Sequence, residues 1–205
     1  MHNPYLQKED GELWNDLLTG DTKALEALYR RYYALLLNYG LKCISDDEMV
    51  RDCIQDLFVK LAKSTHISET ESPRSYLLKS LRNMINDKVS SASYQAESFI
   101  FNDEVFSDIM SDDVADSIFG MNDEDVNMKK ALAKALSQLT PQQKHILYLR
   151  YIKELSHKEV AEIMNMNVQS SMNLLSRSVS KLREIMKSYS LTIFSFYQFI
   201  RFFCE

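Results

Sequence analysis

A chain of 205 residues with four glycines, three prolines and a formal charge of −5 has room for one ordinary domain or two small ones. It holds too few turn formers for an architecture of many short strands, while the wealth of Leu, Ala, Lys, Glu and Met predicts an all-α fold of two helical units. Three cysteines, Cys43, Cys53 and Cys204, form no close pair, which argues against a disulfide framework or a metal-binding pair, and the acidic start at Glu9, Asp10 and Glu12 is unlike a secretory signal, so a reducing cytoplasm is expected.

The average charge hides three zones. Residues 1–95 carry 12 Lys/Arg against 14 Asp/Glu, residues 96–128 none against 10, and residues 129–187 carry 11 against 4, a net +7. The middle zone, from Glu97 through Asp103, Glu104 and Asp108 to Asp125, mixes acid and serine without sustained helical periodicity and reads as a linker. The expected division is therefore a helical domain at 10–95, an acidic linker at 96–128, a basic helical domain at 129–187 and an apolar tail at 188–205.

In the first domain, Leu25, Leu28, Tyr29, Tyr32, Leu36 and Tyr39 recur at spacings of three and four, which predicts a core helix ending near Gly40. Ser45, Asp46 and Asp47 offer start signals for a second helix with Val50, Cys53, Ile54, Leu57, Phe58 and Leu61 on its apolar side. Pro73 breaks the chain at a serine-rich loop, and Tyr76, Leu77, Leu81, Met84 and Ile85 restart helical spacing towards Val89. In the second domain a helix is expected at 128–138, then Thr140-Pro141 caps another that runs to about Tyr151. Ser156 and Glu159 form a capping box for a short helix, a turn follows at Asn165 to Asn167, and a long helix runs from about Val168 to Lys187, with Leu174, Leu175, Val179, Leu182 and Met186 inward. Short helix, tight turn and longer helix make a helix-turn-helix.

Such a motif reads DNA by setting the start of its second helix in the major groove, where Asn, Gln, Ser and Arg pair with base edges. Asn167, Gln169, Ser170, Ser171 and Asn173 occupy that start, and Arg177, Lys181 and Arg183 can reach flanking phosphates. The competing reading is a helical hairpin with a solvated polar side; the +7 of this domain favours DNA.

The run Ala135-Leu136-Ser137-Gln138-Leu139-Thr140-Pro141-Gln142-Gln143, then Leu147 to Tyr151 and Ser156 to Ala161, resembles region four of the extracytoplasmic-function (ECF) sigma factors of the sigma-70 family. Upstream, Val50 to Leu61 looks like that family's polymerase-binding helix, and Ser75-Tyr76-Leu77-Leu78 through Asn83 to Asp87 looks like its promoter-melting helix. The resemblance implies a sigma factor that binds RNA polymerase core and directs promoter recognition and transcription initiation. It implies that Asp52, Gln55 and Asp56 dock on the coiled coil of the polymerase's largest subunit. It also implies that the third helix and its preceding loop meet the −10 element and hold a flipped base. Capturing a base takes aromatic or polar walls with cations for the phosphates, and Arg74, Tyr76, Lys79, Arg82, Asn83 and Lys88 are the candidates.

Three departures from the family pattern bear on that transfer. Tyr76 stands where tryptophan is common, Ser90 and Ser91 where arginines end the helix, and an arginine is common near Met172 in the recognition helix, so the −35 sequence of relatives does not carry over. Asn83 and Asp87 have a competing role in fixing their helix on its neighbours, and Tyr76 in the core. The recognition helix looks like versions common in Bacteroidetes sigma factors. By resemblance, an anti-sigma protein, often membrane-anchored, is the expected inhibitor.

The acidic linker is either a solvated spacer or a strand of negative charge lying in the polymerase's RNA exit path, as in the family. The tail from Leu191 to Cys204 is strongly apolar, yet as helix it spans only ~21 Å against a hydrocarbon core of ~30 Å and is interrupted by Gln198 and Arg201. Packing on the basic domain, docking on an inhibitor and touching a membrane surface stay open for it.

No catalytic constellation stands out. His2, His66, His145 and His157 are scattered, with His145 and His157 expected on helix surfaces, and no glycine loop cradles a phosphate. No enzyme activity, metal, cofactor or small-molecule substrate is expected. Two other readings are an operator-binding helix-turn-helix regulator that ignores polymerase, against which the helix at 50–61 argues, and a protein-only helical adaptor, against which the basic domain argues.

Overall fold

The computed structural model describes residues 4–64, 67–91, 132 and 134–187, and its chain divides into two compact units, Met1–Ile100 and Phe101–Glu205. The acidic segment 96–128, the tail 188–205 and the start of the helix expected at 128–138 lie outside the described residues. Every regular element among the described residues is helical.

The first unit contains α1 (Asp10–Leu18), α2 (Thr22–Cys43), α3 (Asp47–Lys63) and α4 (Pro73–Ser91), after a single 3-10 turn at Pro4–Leu6. Local chemistry explains each start. Asp21 accepts from the Lys23 and Ala24 amides to cap α2, and Asp46 accepts from the Met49 amide at 2.9 Å to cap α3. The Ser72 hydroxyl accepts from the Ser75 amide at 3.3 Å ahead of Pro73, whose missing N–H costs nothing at a first helical position. Tyr5 donates its hydroxyl to Asp21 at 2.8 Å, and this hydrogen bond holds the Asp21 carboxyl below its usual range. Between α1 and α2 the chain turns at Gly20, whose φ of 90° suits only glycine without strain.

The short helix α1 has no counterpart in the sequence reading. Its Leu13, Trp14 and Leu17 are buried, and α1 packs on α2 and α4. Arg31 of α2 fastens it by an ion pair to Asp10 at 2.6 Å and a bond to the Lys8 carbonyl at 2.8 Å, while Tyr32 donates to the same Asp10. The central core is Leu28 and Leu36 of α2, Ile54 of α3, and Leu77, Leu78, Leu81 and Ile85 of α4, all fully enclosed. Each such side chain contributes about 1.5–3 kcal/mol on burial.

Two expectations for α2 need correcting. The helix does not end near Gly40 but runs on to Cys43. Gly40 is buried where α2 meets α3, and a Cβ there would overlap the Val50 methyls, so glycine is present for close helix approach and not as a stop. Tyr29, placed in the core stripe by its spacing, is 40% exposed and lies edge-on against Phe58 at 5.0 Å, since it sits at the margin of the α2–α3 contact.

Cys43 and Cys53 are free thiols in this core, and burial pushes Cys43 up to about 12 and raises Cys53 as well. Thiolates are the reactive species. In a Cys204→Ser chain, neither thiol should react with an alkylating reagent except at the rate of unfolding, as followed by mass spectrometry; prompt labelling of either would contradict the packing.

The second unit contains helical residues 134–137, then α5 (Pro141–Leu147), a π turn at Tyr148–Ile152, α6 (His157–Ile163) and α7 (Val168–Lys187). Thr140 with Gln143, and Ser156 with Glu159, form the reciprocal capping boxes at the starts of α5 and α6. Thr140→Ala or Ser156→Ala should each cost about 1 kcal/mol in urea unfolding of the C-terminal unit. The α-helix expected to reach Tyr151 instead widens into the π turn, where Lys153 donates to the Tyr148 carbonyl at 3.1 Å. That extra residue per turn keeps Tyr148 and Leu149 both buried, and Arg150 bonds forward to the Leu155 carbonyl at 3.3 Å. Asn165, at a φ of 52°, ends α6, and the Met166 amide donates back to the Ala161 carbonyl at 2.9 Å.

His145 corrects a further expectation: it is 2% exposed and not on a helix surface, because α5 lies beneath α7. His157 is half-buried at the start of α6. Among the described residues no group of His, Cys, Asp and Glu could hold a metal, and no helix is long and apolar enough to cross a membrane.

Candidate polymerase and promoter interface

Helix α3 has two opposed sides. Val50, Cys53, Ile54, Leu57, Phe58 and Leu61 are buried, which turns Asp52, Gln55 and Asp56 outward, all three exposed. Val59, 39% exposed, lies beside Gln55 and Asp56 on the helix, so the outward side is acidic with an apolar spot. Lys88 of α4 reaches Asp56 at 3.1 Å, a bond that raises the lysine's pKa. Lys88, one of the six −10 candidates, is thus paired with the acidic side of α3.

A cleft of about 680 Å³ opens between the C-terminal half of α3 and α4, within the roughly 300–1,000 Å³ typical of ligand sites. Tyr76, Ser80, Asn83, Met84 and Asp87 line it from α4, and Leu57, Lys60, Leu61 and Lys63 from α3. Of the six candidate −10 residues it gathers Tyr76 and Asn83, while Arg74, Lys79, Arg82 and Lys88 stand outside the lining. Lys60 and Lys63 are the cations the sequence reading missed. Their signal was available: they sit one and two turns beyond Asp56 on the polar side of α3.

Tyr76 has one flank in the core, its ring edge-on to Trp14 at 4.9 Å, and is half-buried. The Trp14 indole N–H donates to the Ser68 carbonyl at 3.1 Å, tying the segment before α4 to α1. Tyr76 is therefore both a core residue and a wall of the cleft, and the two readings of it are compatible. A second cleft of about 640 Å³, lined by Leu17, Asp21, Leu25, Leu61, Ile67 and Glu69 among others, has no Lys or Arg in its lining and does not suit phosphate.

In the second unit α6, its Asn165 turn and α7 form the expected helix-turn-helix, with both helices packed on each other. Leu175, Leu182 and Met186 of α7 are buried, with Leu174 and Val179 half-buried. Ser171 departs from its expected place among the base-reading residues: it is fully buried, with its hydroxyl lacking a hydrogen-bond partner, since it faces the core one turn before Leu175. Asn167 spends its side-chain oxygen on the Ser170 amide at 2.7 Å, capping α7. Gln169, Ser170 and Asn173 are exposed, and Gln169 Nε2 donates to Asn173 Oδ1 at 3.1 Å. Arg177 is exposed and bonds to the Asn173 carbonyl at 3.3 Å, and Lys181 is half-buried one turn further.

The family profile for Sigma-70 region 2 matches residues 28–94 and that for Sigma-70, region 4 matches residues 129–182. A curated protein of Bacillus subtilis (strain 168), the ECF RNA polymerase sigma factor SigM, is 22% identical over 165 residues, covering 78% of this chain and 94% of that protein. A solved structure of CnrH in complex with the cytosolic domain of CnrY superposes with a TM-score of 0.53 at 18% identity, covering 87% of this chain and 97% of that one, a likeness of fold. With both family regions present in order across more than half of its length, each on the helices described above, this chain belongs to the sigma-70 family as a sigma factor of the ECF group that directs transcription initiation.

Proposed function

We propose a division of labour among the described surfaces. The acidic side of α3, with Asp52, Gln55 and Asp56, binds the coiled coil of the polymerase's largest subunit. Opposite charge across that contact would steer association and set register. The cleft between α3 and α4 holds an unpaired base of the −10 element: Tyr76 offers a stacking surface, Asn83 pairs with the base edge, and Lys60 and Lys63 meet the backbone phosphates. Arg74, Lys79 and Arg82 approach neighbouring phosphates from outside the cleft. The observation that carries this reading is the cleft itself, because it brings an aromatic ring, an amide and two lysines around one opening of about 680 Å³.

Helix α7 lies in the major groove at the −35 element, where Gln169, Ser170 and Asn173 reach base edges and Arg177 and Lys181 meet phosphates. The domain boundaries at 95, 128 and 187 belong to this proposal, as do a cytoplasmic location, a Bacteroidetes-like lineage and the lack of any chemistry of the chain's own. A second protein that masks these surfaces is part of it too; CnrH, similar in fold, was solved with the cytosolic domain of another protein.

Run-off transcription with purified core polymerase from a related bacterium on genomic fragments tests the assignment. Specific starts are expected only when the chain is added. Salt-sensitive DNA binding with no core-dependent transcript would instead indicate an operator-binding regulator.

A further inference from the structure

Val168 and Met172 are both 43% exposed on the first two turns of α7, and among the described residues they are two of only four large hydrophobic side chains left so open. A scattered apolar side chain on a surface carries no meaning by itself. These two stand one turn apart on the flank of the helix, between the buried Ser171 and Leu175 on one side and the exposed Gln169 and Asn173 on the other. From Val168 to Ser176 there is no charged residue, although residues 129–187 carry 11 Lys/Arg against 4 Asp/Glu. The start of the recognition helix is thus a neutral, partly apolar patch within a basic unit, which suits the floor of the major groove and not the phosphate rim.

The chemistry of the patch is complementary to an A·T pair. Gln169 Nε2 is engaged with Asn173 Oδ1. That bond leaves the Gln169 carbonyl oxygen to accept from adenine N6 and the Asn173 amide to donate to adenine N7. Apolar side chains in the major groove find one partner among the base edges, the thymine methyl group. Resting on the assignment of α7 to the −35 element, we infer that Val168 and Met172 read thymine methyls there, beside an adenine edge held by Gln169 and Asn173.

The test uses holoenzyme assembled from the full chain and core polymerase. Preferred −35 elements are selected from randomised fragments, then each thymine in the selected element is replaced by deoxyuridine, which removes only the methyl. Selection should return A·T pairs, and loss of a contacted methyl should weaken binding about four-fold at one or two positions. Met172→Ala should weaken binding to thymine DNA by a similar factor and remove the penalty for deoxyuridine at its position; Val168→Ala should do so at the neighbouring one.

A selected element of G·C pairs alone, or native holoenzyme indifferent to deoxyuridine throughout, would overturn the inference without any variant needing to fold. So would a deoxyuridine penalty undiminished in both variants, or variants that bind DNA normally and lose only an inhibitory protein. Core-dependent transcripts with no sequence preference upstream would sink the assignment of α7 itself, a different result from preference without methyl sensitivity.

Discussion

Replacing Trp14 with alanine is expected to destabilise the N-terminal unit by about 3–5 kcal/mol, close to the whole stability of many small domains. The indole is fully enclosed, touches Tyr76 edge-on at 4.9 Å and donates to the Ser68 carbonyl at 3.1 Å. Its loss would leave a cavity between α1 and α4 and free the segment before α4. The cleft wall at Tyr76 would lose its backing at the same time, so promoter opening should fail before the fold is fully lost. Trp14→Phe keeps a ring against Tyr76 and gives up the bond to Ser68, which is exposed enough for water to replace the donor; about 1–2 kcal/mol is expected. Urea unfolding followed by tryptophan-independent circular dichroism measures both. A cost under 1 kcal/mol for alanine would mean that α1 does not pack as described.

Asp56→Arg should leave the unit folded and abolish core-dependent transcription. Asp56 is exposed and its pair with Lys88 at 3.1 Å is a surface ion pair, worth about 0–1 kcal/mol to the fold. At an interface with a polymerase surface of opposite charge, reversal should weaken core binding by roughly 2–5 kcal/mol, about thirty- to several-thousand-fold. Lys88→Ala separates the two roles: it breaks the same intramolecular pair while keeping the acid, and core binding should be near native. If Asp56→Arg binds core normally in a pull-down or titration, the α3 surface is not the polymerase contact. If Lys88→Ala matches its defect, the ion pair matters through the fold.

The two outcomes at the promoter sites show where sequence reasoning reaches. The N-cap at Thr140, the capping box at Ser156 and a helix start among Ser45, Asp46 and Asp47 were legible because they depend on residues a few positions apart, a distance that chain geometry sets locally. The polar side of α3 was legible for the same reason: once six apolar residues take the inward positions, Asp52, Gln55 and Asp56 have nowhere else to point. The cleft was not legible in this way, because the −10 candidates were chosen along one helix whereas the cleft is made by two, with Lys60 and Lys63 of α3 in its lining.

Helix α1 escaped notice because nine residues with three buried positions give little periodicity, and its stability comes from packing on α2 and α4. Gly40 was misread as a stop because glycine has two uses in a helix: it ends one, or it lets another approach. Only the presence of Val50 against it distinguishes them. Ser171 looked like its neighbours Ser170 and Asn173, but it stands in line with Leu175 on the side of α7 that packs on α6 and α5.

By itself, then, the amino-acid sequence determined the helical class, the order of most helices, the capped helix-turn-helix and the three zones of charge, because each rests on spacing along one chain. The joining of Tyr76 to Lys60 and Lys63 around a cleft, the clamp of Trp14 on Ser68, the burial of Ser171 and His145, and the exposure of Val168 and Met172 were decided only by tertiary structure, because each depends on which helix lies against which and at what rotation.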